Sequence, residues 1–213
     1  MTAHALLEFT AFLAVLLLLA VPVGRYMAAV LHDATSWPRR FFLPVESALY
    51  RLCRIDPNAQ MTWQQYAKAL LVLNGLGTVW LYLLLRMQDV LPLNPAGLPA
   101  VTPEVAFNTA VSFVTNTNWQ SYGGETTLSH LSQMLGLTVQ NFLSAATGLA
   151  VLLALARGFA NKSMDTIGNF WADLTRSTLY VLLPMSVVLA LFLVGQGVVQ
   201  TLDAALVVPL LDP

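Results

Sequence analysis

One interruption constrains this sequence more than any other feature. Within the apolar part of the chain, residues 103–114 form a short hydrophobic segment that runs into Thr115-Asn116-Thr117-Asn118-Trp119-Gln120, a polar run without a single Lys or Arg. At 1.5 Å per residue, 12 residues reach only about 18 Å, well short of the ~30 Å hydrocarbon core. The segment therefore cannot span. Polar, non-helical chain at membrane depth is tolerated only where it is buried in protein or lines a water-filled cavity. That makes residues 115–120 the functional candidate.

The membrane setting follows from composition. Hydrophobic residues make up 57% of the chain and charged residues 10%, with a mean hydropathy of +0.67, against roughly one-quarter charged residues in a soluble domain. A net charge of -1 gives no electrostatic footprint for nucleic acid. The one cysteine, Cys53, excludes an intrachain disulfide framework and reads as a packing residue.

Local signals make the short segment a helix aimed at the polar run. Thr102 is placed to cap it, Pro103 suits the first helical position, and Glu104 complements the positive end of the dipole. If the helix dips in and the chain returns, its carboxyl end, with free carbonyls and about half a negative charge, points at residues 115–120. That end suits a dehydrated cation.

In chain order, residues 6–23 form a first apolar run, read as a retained span and not as a signal peptide, because no basic stretch precedes it and no clear small-residue cleavage site follows. Residues 24–63 form a polar connection with Arg25, Arg39, Arg40, Arg51 and Arg54. Within it Pro44 opens a helical pattern with Val45, Ala48, Leu49 and Leu52 on one face, the layout of a helix lying at the headgroups. Trp63 and Tyr66 mark an interface, residues 68–87 form the second span, and 88–101 a loop with Pro92, Pro95 and Pro99. After the polar run Gly123 and Gly124 permit a turn, and Thr126 or Thr127 caps a third span ending near residue 156. A second basic connection carries Arg157, Lys162 and Arg176. The fourth span, 177–199, contains Pro184, which should kink it.

Charge placement tests the re-entrant reading independently. Nine of the ten Lys and Arg residues lie in or beside the two connections, Arg86 being the exception. The positive-inside rule places both connections in the cytoplasm, which requires an even number of crossings between them. The second and third spans supply two. A third crossing at residues 103–120 would put one basic connection outside. The amino terminus, the Pro-rich loop and the mouth of the polar run are then external.

The third span carries Gln133, Gln140, Ser144 and Thr147 on one helical face. Such a stripe serves either helix packing or an aqueous path, and the sequence leaves both open. Asn141 falls off that face. At the polar run the chemistry is more explicit. Selecting an alkali cation requires oxygen ligands in place of its hydration shell, and backbone carbonyls with Thr, Asn and Gln oxygens supply them without fixed charge. Thr115, Asn116, Thr117, Asn118 and Gln120 are the candidate ligands. Trp119 is expected to brace the loop by packing, and Glu125 to concentrate cations at the mouth.

These residues also resemble a known family. The run from Phe107-Asn108-Thr109 through Val114-Thr115-Asn116-Thr117-Asn118-Trp119-Gln120-Ser121-Tyr122, then Gly124-Glu125-Thr126-Thr127, Ser132-Gln133-Met134 and Gly136-Leu137-Thr138-Val139-Gln140-Asn141, looks like the first pore-loop region of the KdpA family, the potassium-binding and translocating subunits of bacterial Kdp potassium-transporting ATPases. Leu91-Pro92-Leu93-Asn94-Pro95 and Ser163-Met164 with Gly168-Asn169 are similar too. The resemblance implies an all-α polytopic membrane protein, potassium-channel-like, with four pseudo-repeats of helix, pore loop and helix after one extra helix. It implies the division 1–24 (extra helix), 25–67 (cytoplasmic connection), 68–157 (first repeat), 158–176 (cytoplasmic connection) and 177–213 (start of the second repeat). It further implies a multi-pass location in the bacterial inner membrane, potassium as the bound ion with no organic cofactor, a selectivity role for Gln120, and KdpB-type, KdpC-type and KdpF-type partner subunits besides membrane lipid.

Members of that family are more than twice as long as these 213 residues, so the chain is expected to be an amino-terminal piece carrying one of four filter loops. Two other classes make different demands on such a chain. A non-transporting accessory membrane subunit would bind no potassium with the other repeats present. A membrane-embedded enzyme would need converging acid, base or metal ligands, whereas His4, His32 and His130 are scattered and no phosphate-binding Gly loop appears. ATP hydrolysis is expected in a partner chain.

Overall fold

The computed structural model describes residues 3–32, 37–160 and 165–204. Among these the regular structure is helical: α1 (Ala3–His32), α2 (Trp37–Cys53), α3 (Trp63–Arg86), α4 (Pro103–Val114), the single turn α5 (Gly124–Thr127), a π-helical stretch (Ser132–Thr138) continuing into α6 (Val139–Ala160), and α7 (Phe170–Arg176) continuing through a second π-helical stretch (Ser177–Leu182) into α8 (Leu183–Gly195). Four of the continuous helices are long and apolar enough to cross a membrane: His4–Leu31, Trp63–Arg86, Ser132–Ala160 and Phe170–Gly195.

The two ends of α3 organise everything else. At its amino end the two basic connections meet: Met61 N–H donates to the Gly168 carbonyl at 2.8 Å and Ile167 N–H to that of Met61 at 3.0 Å, while Asn169 Nδ2 reaches the carbonyls of Asp56 and Ala59. At its carboxyl end, about 36 Å away for 24 residues, Val101 N–H donates to Leu85 and His130 N–H to Leu93. The chain thus enters α4 and returns from the polar run at the same end of α3. That is a re-entrant path, with two spans between the basic connections.

Packing explains the path. Ala106 and Ala110 on α4 are fully buried against Leu81, Leu84 and Leu85 of α3, with Phe113, Leu128 and Leu137 closing the cluster. Small residues on α4 let the two backbones approach closely. A second cluster joins Tyr66 and Ala69 of α3 to Ala146, Ala150 and Ala154 of α6 and Phe170 of α7. A third packs Val30 and Leu31 of α1 against Leu179, Tyr180 and Val181.

Several boundaries differ from those read off hydropathy. The first helix does not stop at residue 24 but runs to His32 through Pro22, Gly24 and Arg25. Its last turns pack on the fourth span, which outweighs the ~1 kcal/mol that a mid-helix Gly costs. Pro44 does not open α2, because the helix already starts at Trp37. Its apolar positions Val45 and Leu52 are exposed, as expected of a face toward lipid, while Glu46 and Tyr50 turn inward.

The second span starts at Trp63, five residues before the expected 68, because Thr62 and Gln65 form a capping box: Thr62 Oγ1 accepts the Gln65 N–H and Gln65 Oε1 accepts the Thr62 N–H. Tyr66 is not an interface aromatic. It is 2% exposed, its hydroxyl 2.7 Å from the Ala150 carbonyl and 3.0 Å from Asp173 Oδ2. That carboxylate takes a two-pronged grip from Arg157, at 2.6 and 2.8 Å.

The third span is not capped by Thr126 or Thr127, which belong to α5. Ser129 Oγ accepts the Ser132 N–H instead. The fourth span starts at Phe170, not 177, because Asn169 Oδ1 accepts the Ala172 N–H, and it ends at Gly195, not 199. The connection 158–176 shrinks accordingly, and Lys162, Ser163 and Met164 lie outside the described residues, as does the end of the segment 177–213. Pro184 lies inside the fourth span, at the start of α8. It has no N–H for the carbonyl of Tyr180 four residues back, and that carbonyl accepts a hydrogen bond from the Tyr26 hydroxyl.

Candidate functional site

The polar run is built on the carboxyl end of α4. Pro103 occupies the first turn with Glu104, and Thr102 makes no side-chain cap bond. At the other end Asn116 adopts φ +60°. Thr117 N–H then reaches the Ser112 carbonyl at 2.9 Å and Asn116 N–H that of Phe113 at 3.3 Å. This pair of bonds is the Schellman closure, with Asn in the left-handed position where Gly is commoner. Thr115 Oγ1 bonds back to the Val111 carbonyl at 2.8 Å and lies 3.1 Å from Thr117 Oγ1.

Beyond the closure the loop is held by few ties. Asn118 repeats the left-handed turn with φ +55°, and its N–H also points to the Ser112 carbonyl, at 3.2 Å. The Ser112 hydroxyl accepts the Trp119 N–H at 2.6 Å and donates to the Trp119 carbonyl at 2.9 Å. From the third span, Ser144 Oγ donates to Asn116 Oδ1 at 3.2 Å. Ser144 lies near the middle of the 29-residue span Ser132–Ala160, so the inner end of the loop sits at roughly mid-membrane depth. Among the described residues no donor reaches the carbonyls of Val114, Thr115, Asn116, Thr117 or Asn118, and residues 115–120 are exposed.

A cavity of about 590 Å³ lies between this loop and the third span, with Asn116, Asn118, Gln120, Gln133, Thr138 and Asn141 among its lining residues. It brings together three of the five candidate ligands. Thr115 and Thr117 lie outside its lining: their hydroxyls pair with each other, and that of Thr115 also bonds to α4 carbonyls. Trp119 does not brace the loop by ring packing: its side chain is exposed, and the bracing runs through its backbone to Ser112. Gly123 has φ −83°, so the turn needs no left-handed residue there. Gly124 offers its carbonyl to Gln133 Nε2.

Glu125 faces elsewhere. It lines a second cavity of about 640 Å³ with His130, Asp203 and the Pro-rich loop, and Gln133 borders both cavities. Beside the polar loop, burial pushes the Tyr122 phenol up, while Thr109 and Gln120 next to it pull it back. Its hydroxyl is buried without a well-formed hydrogen bond.

The four-residue stripe on the third span separates. Gln133 lines the cavity beside the polar loop. Gln140 is buried against α3, so close to Gly77 that a Cβ there would lie 2.7 Å from Gln140 Nε2. Ser144 bonds to Asn116, and Thr147 bonds to its own Leu143 carbonyl. Thr138 and Asn141 take the cavity-facing places, because the π-helical stretch Ser132–Thr138 shifts the register that a 3.6-residue period assumes. Ser112 and Gln88 also escape a sequence reading. Gln88, fully buried, donates to Pro99 and Thr127 carbonyls and accepts from Ser129 N–H and Ser132 Oγ, tying the Pro-rich loop to the chain that leaves the polar run.

Comparison with known proteins identifies relatives of this chain. Residues 10–212 match the family model described as KdpA, potassium-transporting ATPase A subunit. The chain is 61% identical over 203 residues to the potassium-transporting ATPase potassium-binding subunit of Methylococcus capsulatus, covering 95% of this chain and 34% of the relative. It is 59% identical over 202 residues to the subunit of that name from Ralstonia nicotianae (93% and 34%), and 55% identical over 213 residues to that from Herpetosiphon aurantiacus (100% and 37%). The chain spans about a third of the length of these relatives. With a family match that runs through both sides of the re-entrant loop, the chain belongs to the KdpA family of potassium-transporting ATPase A subunits.

Proposed function

We propose that residues 115–120 form one loop of a potassium filter, through which external potassium enters the transporter on its way to an ATP-hydrolysing partner. The observation that carries this reading is the run of carbonyls, Val114 to Asn118, left without internal donors at the end of a helix whose negative dipole end faces them. The exposed side chains of Asn116, Asn118 and Gln120 add neutral oxygens beside that run. Low fixed charge suits selection by oxygen geometry over simple electrostatic collection. One loop cannot encircle an ion, so further loops of the complete subunit supply the remaining ligands.

In this reading α1 precedes a helix, pore loop and helix unit built from α3, α4 and the third span, and the fourth span opens the next unit. The amino terminus and the filter mouth face outward across the bacterial inner membrane, and the basic connections face the cytoplasm, where positive loops are favoured. Hydrolysis belongs to a KdpB-type P-type ATPase subunit, with KdpC-type and KdpF-type subunits in the complex. This chain is not itself the hydrolytic component.

The test is potassium-stimulated ATPase activity of the assembled transporter with a full-length A subunit, comparing Gln120 with Gln120→Arg. A fixed positive charge beside the carbonyl run is expected to weaken apparent potassium affinity sharply while assembly persists. Unchanged affinity would make residues 115–120 scaffold and leave an accessory role for this part of the subunit.

A further inference from the structure

We propose that Ser112, buried on the last turn of α4, is a positioning residue that aligns three consecutive filter carbonyls; the proposal rests on the filter reading above. Three successive N–H groups converge on this one residue. Thr117 and Asn118 donate to its carbonyl at 2.9 and 3.2 Å, and Trp119 donates to its hydroxyl at 2.6 Å. In a planar trans peptide the N–H and the preceding C=O point in opposite directions. Fixing the N–H groups of residues 117, 118 and 119 toward Ser112 therefore turns the carbonyls of Asn116, Thr117 and Asn118 away from it, side by side.

Consecutive peptides normally alternate or rotate, so a parallel set needs left-handed residues at intervals. Asn116 and Asn118 supply them, with φ +60° and +55°, and converging N–H groups of this kind ordinarily form an anion-binding nest. Here Ser112 fills the nest with its own oxygens, which leaves the opposite, carbonyl face of the loop for a cation. The hydroxyl also ends the run. It donates to the Trp119 carbonyl at 2.9 Å, turning that one inward, so the aligned set stops at Asn118. Ser112 is 7% exposed and does not line the filter cavity, so its effect on the ion passes through the backbone it holds.

The test uses the complete transporter with Ser112→Ala, Ser112→Val and Ser112→Thr in the full-length A subunit. It reads apparent affinity for K+, discrimination against Rb+ and Na+ in ATPase stimulation, and co-purification of the subunits. Thr and Val differ by the hydroxyl alone. The Ala and Val variants are expected to lose roughly thirty-fold in apparent K+ affinity, the factor for two ordinary hydrogen bonds, with the loss of affinity exceeding any loss of maximal rate and with narrowed ion discrimination. Ser112→Thr should restore both.

The proposal is overturned if the Ala and Val variants keep wild-type affinity and discrimination, or if Thr behaves like Val. It is also overturned if the hydroxyl-free variants fail to assemble where Thr assembles, since the hydroxyl would then serve folding. Gln120→Arg runs alongside. A response to that variant with none to Ser112→Ala refutes the alignment role alone, whereas silence of both refutes the filter reading.

Discussion

Glu46 is the carboxylate around which the end of the bundle that carries the basic connections is fastened, and neutralising it should loosen that end. Its side chain is 2% exposed, against 11% and 17% for the side chains of Arg39 and Arg176 beside it. Oε1 accepts from Arg176 Nε at 2.9 Å and from the Tyr50 hydroxyl at 2.9 Å, and Oε2 accepts from the Tyr180 hydroxyl. One group thus ties α2 to the fourth span through two side chains. Burial pushes the carboxyl up, yet the hydrogen bonds from Tyr180, Arg176 and Tyr50 and the Arg176 charge hold it below the usual carboxylate range.

In Glu46→Gln two guanidinium groups lose their counter-ion, and an amide NH₂ meets groups that are themselves donors. Breaking a buried pair in this way costs about 3–5 kcal/mol. At roughly 2–4 °C per kcal/mol for a chain of this size, the melting midpoint should fall by about 10 °C. The assay is thermal unfolding of the detergent-purified chain, followed by tryptophan fluorescence and by recovery as a monodisperse species. Tyr180→Phe, which removes one hydrogen bond to a charged group, should cost less, about 2 kcal/mol, and the double variant should be less than additive. A Glu46→Gln midpoint within about 2 °C of wild type refutes the reasoning, since that is under 1 kcal/mol. The pH dependence has a definite sign. Because the folded carboxyl is lowered, its contribution is complete above the ordinary carboxylate range and is lost as the pH falls through the depressed value.

Three further outcomes follow from positions where backbone and packing conflict with a substitution. Gly168 has φ +110° and a Cβ there would lie 2.2 Å from Arg157 Nη1, so Gly168→Ala should destabilise by about 3 kcal/mol in the same thermal assay; Gly158→Ala, which meets nothing, should not. Asn116→Ala and Asn116→Gly both lose the Ser144 bond, but only Ala pays for the left-handed backbone, so Ala should weaken apparent K+ affinity about five-fold more than Gly. Tyr26→Phe strips the Tyr180 carbonyl of its hydroxyl donor at about 1–2 kcal/mol; Pro184→Ala, which restores a backbone N–H, should recover part of that loss when both are changed.

The short re-entrant helix was legible from sequence to the residue. Thr102-Pro103 marks one end, and the polar run that begins at Thr115 marks the other, so length alone excluded a crossing. Helix starts were legible too but hidden under the hydropathy pattern: Thr62-x-x-Gln65 is a capping box and Asn169 a cap, both upstream of the first strongly apolar residue. Three things were not legible. A π-helical stretch leaves no period in the sequence, so Thr138 and Asn141 exchanged places with Gln140 on the cavity face. The inward turn of α2 depends on Glu46 finding Arg176 and Tyr180 more than a hundred residues away. Ser112 looks like any small residue on a packed helix, and its grip on Trp119 exists only once Asn116 and Asn118 have folded the chain back.

The most direct test of the filter assignment is the position of a heavy potassium analogue, Tl+ or Rb+, located by anomalous scattering in crystals of the complete subunit within its transporter. The account predicts a peak in direct coordination with the carbonyl oxygens of Asn116, Thr117 and Asn118. A peak elsewhere in the subunit, with these three carbonyls unoccupied at saturating ion, would contradict it.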